Sequence, residues 1–460
     1  MTVDQPSNRL TAAQKQALLK RVIEARKAEG AAREGDNPAG THDHVPESYY
    51  RIEKFPQYYQ LHLQRALAER AGLRSPYFLM HDGVARDTSV IAGREVLNFA
   101  TYNYLGLNGD PRVTAAAQAA TERFGTSASA SRLVSGERQP HRDLERALAE
   151  LHGVEDAVAF VSGFGTNVTV IGNLVGSKDL VLLDRLIHNS VIQGAKLSGA
   201  TLQTFAHNDW QAVDTLLAAS RRRYERVLIV VEGVYSMDGD ICPLDRFVAI
   251  RERHRTLLMV DEAHSMGLLG ASGRGIGEHF GLPGSAVDVW MGTLSKTFAA
   301  CGGYVAGCAA LVELLKFTSP GFVYSVGMPP PVAAAALAAI EAMLAEPERV
   351  QRLRDNGRYF FELARSHGLA MGHAEGLNII PIILGRSVLA TRLSNALLDR
   401  GINVQPIIYP AVEEKVARLR FFLSASHSAA QISYAVEVMV EELRRLLADS
   451  EELADPLEPE

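Results

Sequence analysis

Lys296 closes the stretch Gly292-Thr293-Leu294-Ser295-Lys296, a strand's length beyond Asp261-Glu262-Ala263-His264. A lysine after a hydroxyl-rich turn brings an amine that can form a Schiff base with an aldehyde, the chemistry of pyridoxal phosphate (PLP). Asp261 follows the apolar run Leu257-Leu258-Met259-Val260, so a strand delivers its carboxylate, dry-sided, to the end of a sheet. A carboxylate placed there keeps a pyridine nitrogen protonated, and the ring can then accept electrons from a carbanion. His264 stands within reach of the cofactor's ring oxygen or of the Schiff base. Asp-Glu-x-His also occurs in helicases behind a phosphate loop of the form GxxxxGK[ST], and the sequence has no such loop.

Other candidates fall after other apolar runs. Ser162-Gly163-Phe164-Gly165-Thr166-Asn167 leads into a helical pattern, so its backbone N–H groups can close on an anion such as a phosphate. His188 follows the next run and can stack on a pyridine ring. Ser236, in Gly233-Val234-Tyr235-Ser236-Met237-Asp238-Gly239, can hydrogen-bond a ring oxygen, and Thr293 and Ser295 can reach the phosphate.

The elements that must position these residues follow from the patterning. From about residue 157 onward, short β-branched runs alternate with helical ones, which predicts a mainly parallel sheet covered on both faces. Seven strands are expected, at 157–161, 180–183, 201–205, 227–231, 257–260, 287–291 and 303–306. Ligands of open α/β sheets collect outside the carboxyl ends of strands, where the candidates lie. The expected organisation is an N-terminal extension with a helix at 58–73 and strand-like 89–99 (1–92), a large α/β domain (93–340), a smaller α+β domain (341–448) and an acidic tail (449–460).

At 460 residues and 47% hydrophobic content the chain can bury a large core. A formal charge of −6 gives no field for nucleic acid, and the run Arg221-Arg222-Arg223 reads as a solvated helix end. Three cysteines without CxxC spacing argue for a reducing compartment and against a structural metal site. With no apolar leader in the first forty residues, the cytoplasm is the expected location.

The order of glycine cradle, stacking His, Ser in SMDG, Asp-x-x-His and Thr-x-x-Lys resembles the α-oxoamine synthases, PLP-dependent enzymes of fold type I. The likeness runs from Asn98-Phe99-Ala100-Thr101-Tyr102-Asn103-Tyr104-Leu105-Gly106-Leu107 to Ala417-Arg418-Leu419-Arg420-Phe421-Phe422-Leu423-Ser424-Ala425-Ser426-His427. It implies that Lys296 holds the cofactor and transfers the proton, Asp261 binds the pyridine nitrogen and His188 stacks on the ring. His264 and Ser236 would contact the ring oxygen, and Gly163, Phe164 and Thr293 the phosphate. Arg420 would grip the substrate carboxylate bidentately, with Asn103 also at the substrate. The family shares its site across a homodimer, and a segment like Phe322 to Pro330 lends phosphate contacts to the partner. Here that contribution reduces to Ser325, because Val326 stands where many relatives carry a second hydroxyl.

The implied reaction is a decarboxylative condensation of serine, alanine or glycine with an acyl thioester, giving an α-amino ketone. Gly125-Thr126-Ser127-Ala128-Ser129-Ala130-Ser131-Arg132 departs from the glycine-rich form of primary-metabolic members and looks more like synthases of secondary-metabolite assembly. Both CoA and an acyl-carrier protein therefore stand as donors. An aminotransferase would share the cofactor but yield a keto acid, and a silent partner subunit would lack Lys296.

Overall fold

The computed structural model describes residues 45–70 and 72–452. Residues up to Gly72, with a helix at Pro56–Arg70, group as one unit, and Leu73 onward as another. The second unit begins with short strands β1 (His81–Asp82), β2 (Thr88–Ile91) and β3 (Arg94–Asn98). The extended stretch expected at 89–99 is thus a hairpin, turned at Ala92 and Gly93, both with positive φ (50° and 74°). Such a turn needs left-handed backbone at both positions, and an alanine there gives little warning in sequence.

The large sheet holds seven strands: β4 (Asp156–Phe160), β5 (Leu180–Asp184), β6 (Thr201–Phe205), β7 (Val227–Glu232), β8 (Leu257–Asp261), β9 (Val289–Thr293) and β10 (Gly303–Gly307). Their order is β4-β10-β9-β8-β7-β5-β6, with β10 antiparallel to both neighbours and the other adjacent pairs parallel. Six strands therefore end at one edge, which collects the residues that follow them. Along β7, Val227, Ile229 and Val231 pack into one core and Leu228 and Val230 into another on the opposite face. Covering both faces explains why these strands read as continuous apolar runs.

β9 lies two residues later than its expected start. Asp288 is held ahead of the strand, taking Arg251 Nη2 at 2.6 Å and the Leu258 amide at 2.8 Å. The shift carries Thr293 onto the strand's last position. Arg221 is also tied down rather than solvated, donating to the carbonyls of His254 and Tyr224.

A second core joins the two ends of this unit. β11 (Ile379–Ile383) and β13 (Gln405–Ile407) flank β14 (Arg418–Phe422) in an antiparallel sheet, while β12 (Ile402–Asn403) pairs in parallel with β3. Phe99 stacks among Phe360, Phe421 and His427 in this core. Residues 88–99 thus pair with the C-terminal part, not with the large sheet. The last helix, Ala429–Glu452, runs into the expected tail, of which residues 453–460 lie outside the described residues. Among the described residues no helix is long and apolar enough to cross a membrane.

Candidate active site

A cavity of about 260 Å³ opens at the carboxyl edge of the large sheet. Gly163, Phe164, His188, Asp261, His264, Thr293, Ser295 and Lys296 all line it, so eight expected site residues converge there. They come from four strand ends and the turns behind them, those of β4, β5, β8 and β9.

The cradle forms where β4 passes into the helix Gly163–Leu174. Ser162 caps that helix, its hydroxyl accepting the Gly165 amide at 3.1 Å. The first-turn amides of Gly163 and Phe164 point out of the helix start, where an anion is favoured. Thr293 closes the other side. A Cβ at position 163 would stand 2.6 Å from its Oγ1, so only glycine leaves this gap open.

Asp261 ends β8 and is 4% exposed. Its Oδ2 accepts from Asn167 Nδ2 at 2.8 Å and its Oδ1 from the Ala263 amide at 3.0 Å. Asn167 Nδ2 also donates to Ser190 Oγ at 2.9 Å, and Ser190 Oγ lies 2.7 Å from His188 Nδ1. The Ser190 amide donates to the same nitrogen at 3.3 Å, so Nδ1 accepts and the ring proton sits on Nε2. One chain of hydrogen bonds thus links the buried carboxylate to the imidazole.

Lys296 lies in the turn after β9, its Nζ 5.7 Å from the centre of the Tyr102 ring. Burial brings its amine down to about 8 against the pull of Asp261 and Glu232, with Arg420 lowering it further. An amine so placed is partly neutral near physiological pH and therefore nucleophilic. His264 is buried, with Nδ1 2.8 Å from Tyr104 Oη. Burial, with the nearby cations of Lys296 and Arg420, holds this imidazole well below its usual value.

Ser236 and Arg420 meet each other beside the residues lining the cavity. Arg420 Nη1 donates to the Ser236 carbonyl at 2.8 Å, while its Nε has no hydrogen-bond partner. Arg418, two residues away on β14, is committed to Asp238 at 2.5 Å and the Met237 carbonyl at 3.0 Å. Arg420 Nε is thus a buried donor without a partner, whereas Arg418 Nε and Nη1 are both engaged. Asn103, expected at the substrate, is engaged by its neighbours. Its amide bonds the carbonyls of Ala85 and Asn108 and the Asn108 amide, so it shapes a loop and does not line the cavity. Ser325 is also outside the lining, its hydroxyl donating to the Val326 carbonyl at 3.1 Å.

Sequence reasoning passed over Asn167, Ser190, Tyr104 and Glu232. Glu232 ends the apolar run Val227 to Val231 just as Asp261 ends its own, so the same signal was present twice. Glu262, in contrast, is a structural residue. Burial pushes it up to about 7, and its carboxyl receives the Ile276 amide and the Ser265 hydroxyl.

A buried carboxylate, a lysine of lowered basicity, a glycine-only cradle and an arginine with an unpaired donor fit the phosphorylated pyridine that the sequence resemblance implies. Residues 94–439 match the family model of class I and II aminotransferases. The 8-amino-7-oxononanoate synthase of Symbiobacterium thermophilum is 44% identical over 361 residues, 78% of this chain and 92% of that one. The serine palmitoyltransferase of Sphingomonas wittichii superposes with a TM-score of 0.82 at 32% identity, covering 85% of this chain and 98% of that one. That of S. paucimobilis, solved with bound PLP and myriocin, gives 0.82 at 30%, covering 85% and 98%. The chain belongs to the class I and II aminotransferase family and, within it, to the α-oxoamine synthases.

Proposed function

We propose that this PLP-dependent enzyme joins an amino acid to an acyl thioester. A carbon–carbon bond forms between the amino acid Cα and the acyl carbonyl carbon, and the carbon–sulfur bond breaks to release the thiol. The carboxyl group then leaves as carbon dioxide, a proton takes its place, and an α-amino ketone results. The observation that carries this reading is the meeting of Lys296, Asp261 and His188 in one cavity.

Pyridoxal phosphate, when bound, supplies the aldehyde that takes up the amino group and the ring that draws off the electron pair left at Cα. The Gly163 and Phe164 amides and the Thr293 hydroxyl hold its phosphate. Asp261, fixed by Asn167, keeps a proton on the ring nitrogen. His188 stacks on the ring, and its Nε2 proton polarises the acyl carbonyl. His264 and Ser236 contact the ring oxygen. Lys296 removes the proton from Cα and later returns one there. The unpaired Arg420 Nε binds the amino acid carboxylate. Ser325 serves the site of a second copy of the chain. In support, it lies outside its own chain's cavity lining, on a segment whose Tyr324 is 86% exposed.

The test is NMR of PLP-loaded protein with glycine, alanine and serine separately in heavy water. Exchange of the α-proton with one of them, accelerated by an acyl thioester and without keto acid, is expected, and it identifies the amino acid. Stoichiometric keto acid would point to an aminotransferase instead. Offering the acyl group on CoA and on a carrier protein in parallel decides the donor. Lys296→Ala should lose multiple turnovers, and turnover persisting without added amine would remove Lys296 from its role.

A further inference from the structure

Glu232 is a buried acid for which the mechanism above has no use. It ends β7 in the middle of the sheet, is 2% exposed and lines the cavity beside Lys296. Its register partner on β8 is Asp261, so two acidic side chains stand next to each other on adjacent strands. Like charges on neighbouring strands repel, and a buried carboxyl needs compensation. Among the described residues no ion pair engages Glu232. Compensation comes instead from the main chain.

The His188 amide donates to Glu232 Oε1 at 2.6 Å. The Ser236 main chain faces the same carboxyl group and favours its charged form. These two main-chain groups belong to separate loops, one leaving β5 and the other leaving β7. Each loop is already fixed at its far end. His188 caps the helix Asn189–Ser198, and the Ser236 loop is held by Arg418 and Arg420 from β14. What remains is the gap between the loops, and the Glu232 carboxyl group spans it.

We propose that Glu232 is a positioning residue of the condensation, setting the His188 loop and the Ser236 loop at a fixed separation around the cofactor ring. This rests on the functional reading above, since it is the ring that gives the separation a meaning. The side chain suits the task chemically. A carboxyl group offers two oxygens, enough for two amide donors, whereas an amide side chain offers one oxygen and turns an N–H against the second donor. Burial, reinforced by the charge of Asp261, pushes Glu232 up to about 8. The main-chain donors work against that rise by favouring the charged form. A displacement of about 1 Å in a reacting geometry can cost about a hundredfold in rate, so a brace of this kind bears on catalysis without touching substrate.

The experiment compares wild-type protein with Glu232→Gln, which conserves volume but loses one acceptor. PLP affinity of the apoprotein is measured by equilibrium dialysis, ring orientation by circular dichroism in the cofactor band, and α-proton exchange at saturating PLP by NMR. Glu232→Gln is expected to bind PLP about tenfold more weakly, to change the cofactor band and to exchange the α-proton at least about tenfold more slowly. The melting temperature of its apoprotein should stay close to wild type, which a merely structural role would not predict. All three readouts within twofold of wild type would overturn the proposal. If the variant fails to fold, a crystal structure of the wild-type holoenzyme decides. The His188 and Ser236 amides both bonded to Glu232 support the brace, and either amide turned away from it defeats it. Wild-type protein that takes up no PLP sinks the functional reading itself, which separates that failure from failure of the brace alone.

Discussion

At the scale of single residues, Lys296 and His207 are both pushed down by burial yet end on opposite sides of their ordinary values. Burial brings the Lys296 amine down to about 8, which suits the base and nucleophile proposed for it. At His207 burial works in the same direction, but hydrogen bonds to Asp184 at 2.9 Å and Asp240 at 2.7 Å outweigh it and raise the ring to about 10. A folded-state value above the unfolded one near 6.5 stabilises the fold fully below that lower value. The contribution fades as pH rises toward 10. Thermal melts of wild type and His207→Gln should therefore differ most at about pH 6 and converge by about pH 10. A difference that grows with pH would refute the assignment. Arg420 gives a second expectation. Arg420→Lys loses the fork that grips a carboxylate, and charged hydrogen bonds are worth about 1.5–3 kcal/mol, so the amino acid KM should rise about tenfold to a hundredfold. Steady-state kinetics with the acyl donor saturating checks this, and an unchanged KM would assign the carboxylate to another residue.

At the scale of elements, the site is built from strand ends and the first turns after them. β4 delivers the cradle, β5 leads to His188, β7 ends on Glu232, β8 ends on Asp261 and β9 leads to Lys296. This part was legible in sequence because each strand is buried on both faces, reads as an apolar run and is closed by a polar or glycine residue. The partners of those residues were harder to see. Asn167 lies one helical turn past the cradle, and nothing local marks it as the bridge between Asp261 and Ser190. Asn103 sits in a motif that fits the family, yet its amide is used up on Asn108 and on Ala85 from ahead of β2. The cradle itself is testable. In Gly163→Ala the new Cβ would meet Thr293 Oγ1 at 2.6 Å and Thr293 Cβ at 3.1 Å. The phosphate gap should close, and PLP should bind at least about tenfold more weakly with little change in the melting temperature of the apoprotein. Equilibrium dialysis that finds wild-type affinity would place the phosphate elsewhere.

At the scale of the molecule, long-range contacts hold together pieces that the sequence separates. Arg132 lies in the Ser/Ala-rich segment that reads as a mark of the acyl donor, but its side chain is only 3% exposed. It donates to Glu145 at 2.5 Å and to Glu137 at 2.7 Å, with Lys316 also 3.2 Å from Glu145. Removing one member of a buried network strands its partners, at about 3–5 kcal/mol. Arg132→Met should lose about 3 kcal/mol, the low end of that range because Lys316 remains. Urea denaturation measures it, and a loss under about 1 kcal/mol would mean the network carries little. The second core makes the same point in apolar terms, since Phe99 meets Phe360 and Phe421 from far along the chain. No local pattern announces that meeting.

The sequence by itself determined the family, the seven-stranded sheet and the identity of the residues at its carboxyl edge, because strand periodicity and strand-end chemistry are local properties. Tertiary structure alone decided which groups were already spent and which stayed free. Arg418 is paired while Arg420 keeps an unpaired Nε, and the Asn103 amide is spent on Ala85 while the Glu232 carboxyl takes up the His188 amide. Those outcomes depend on distances between residues far apart in the chain, and such distances exist only once the chain has folded.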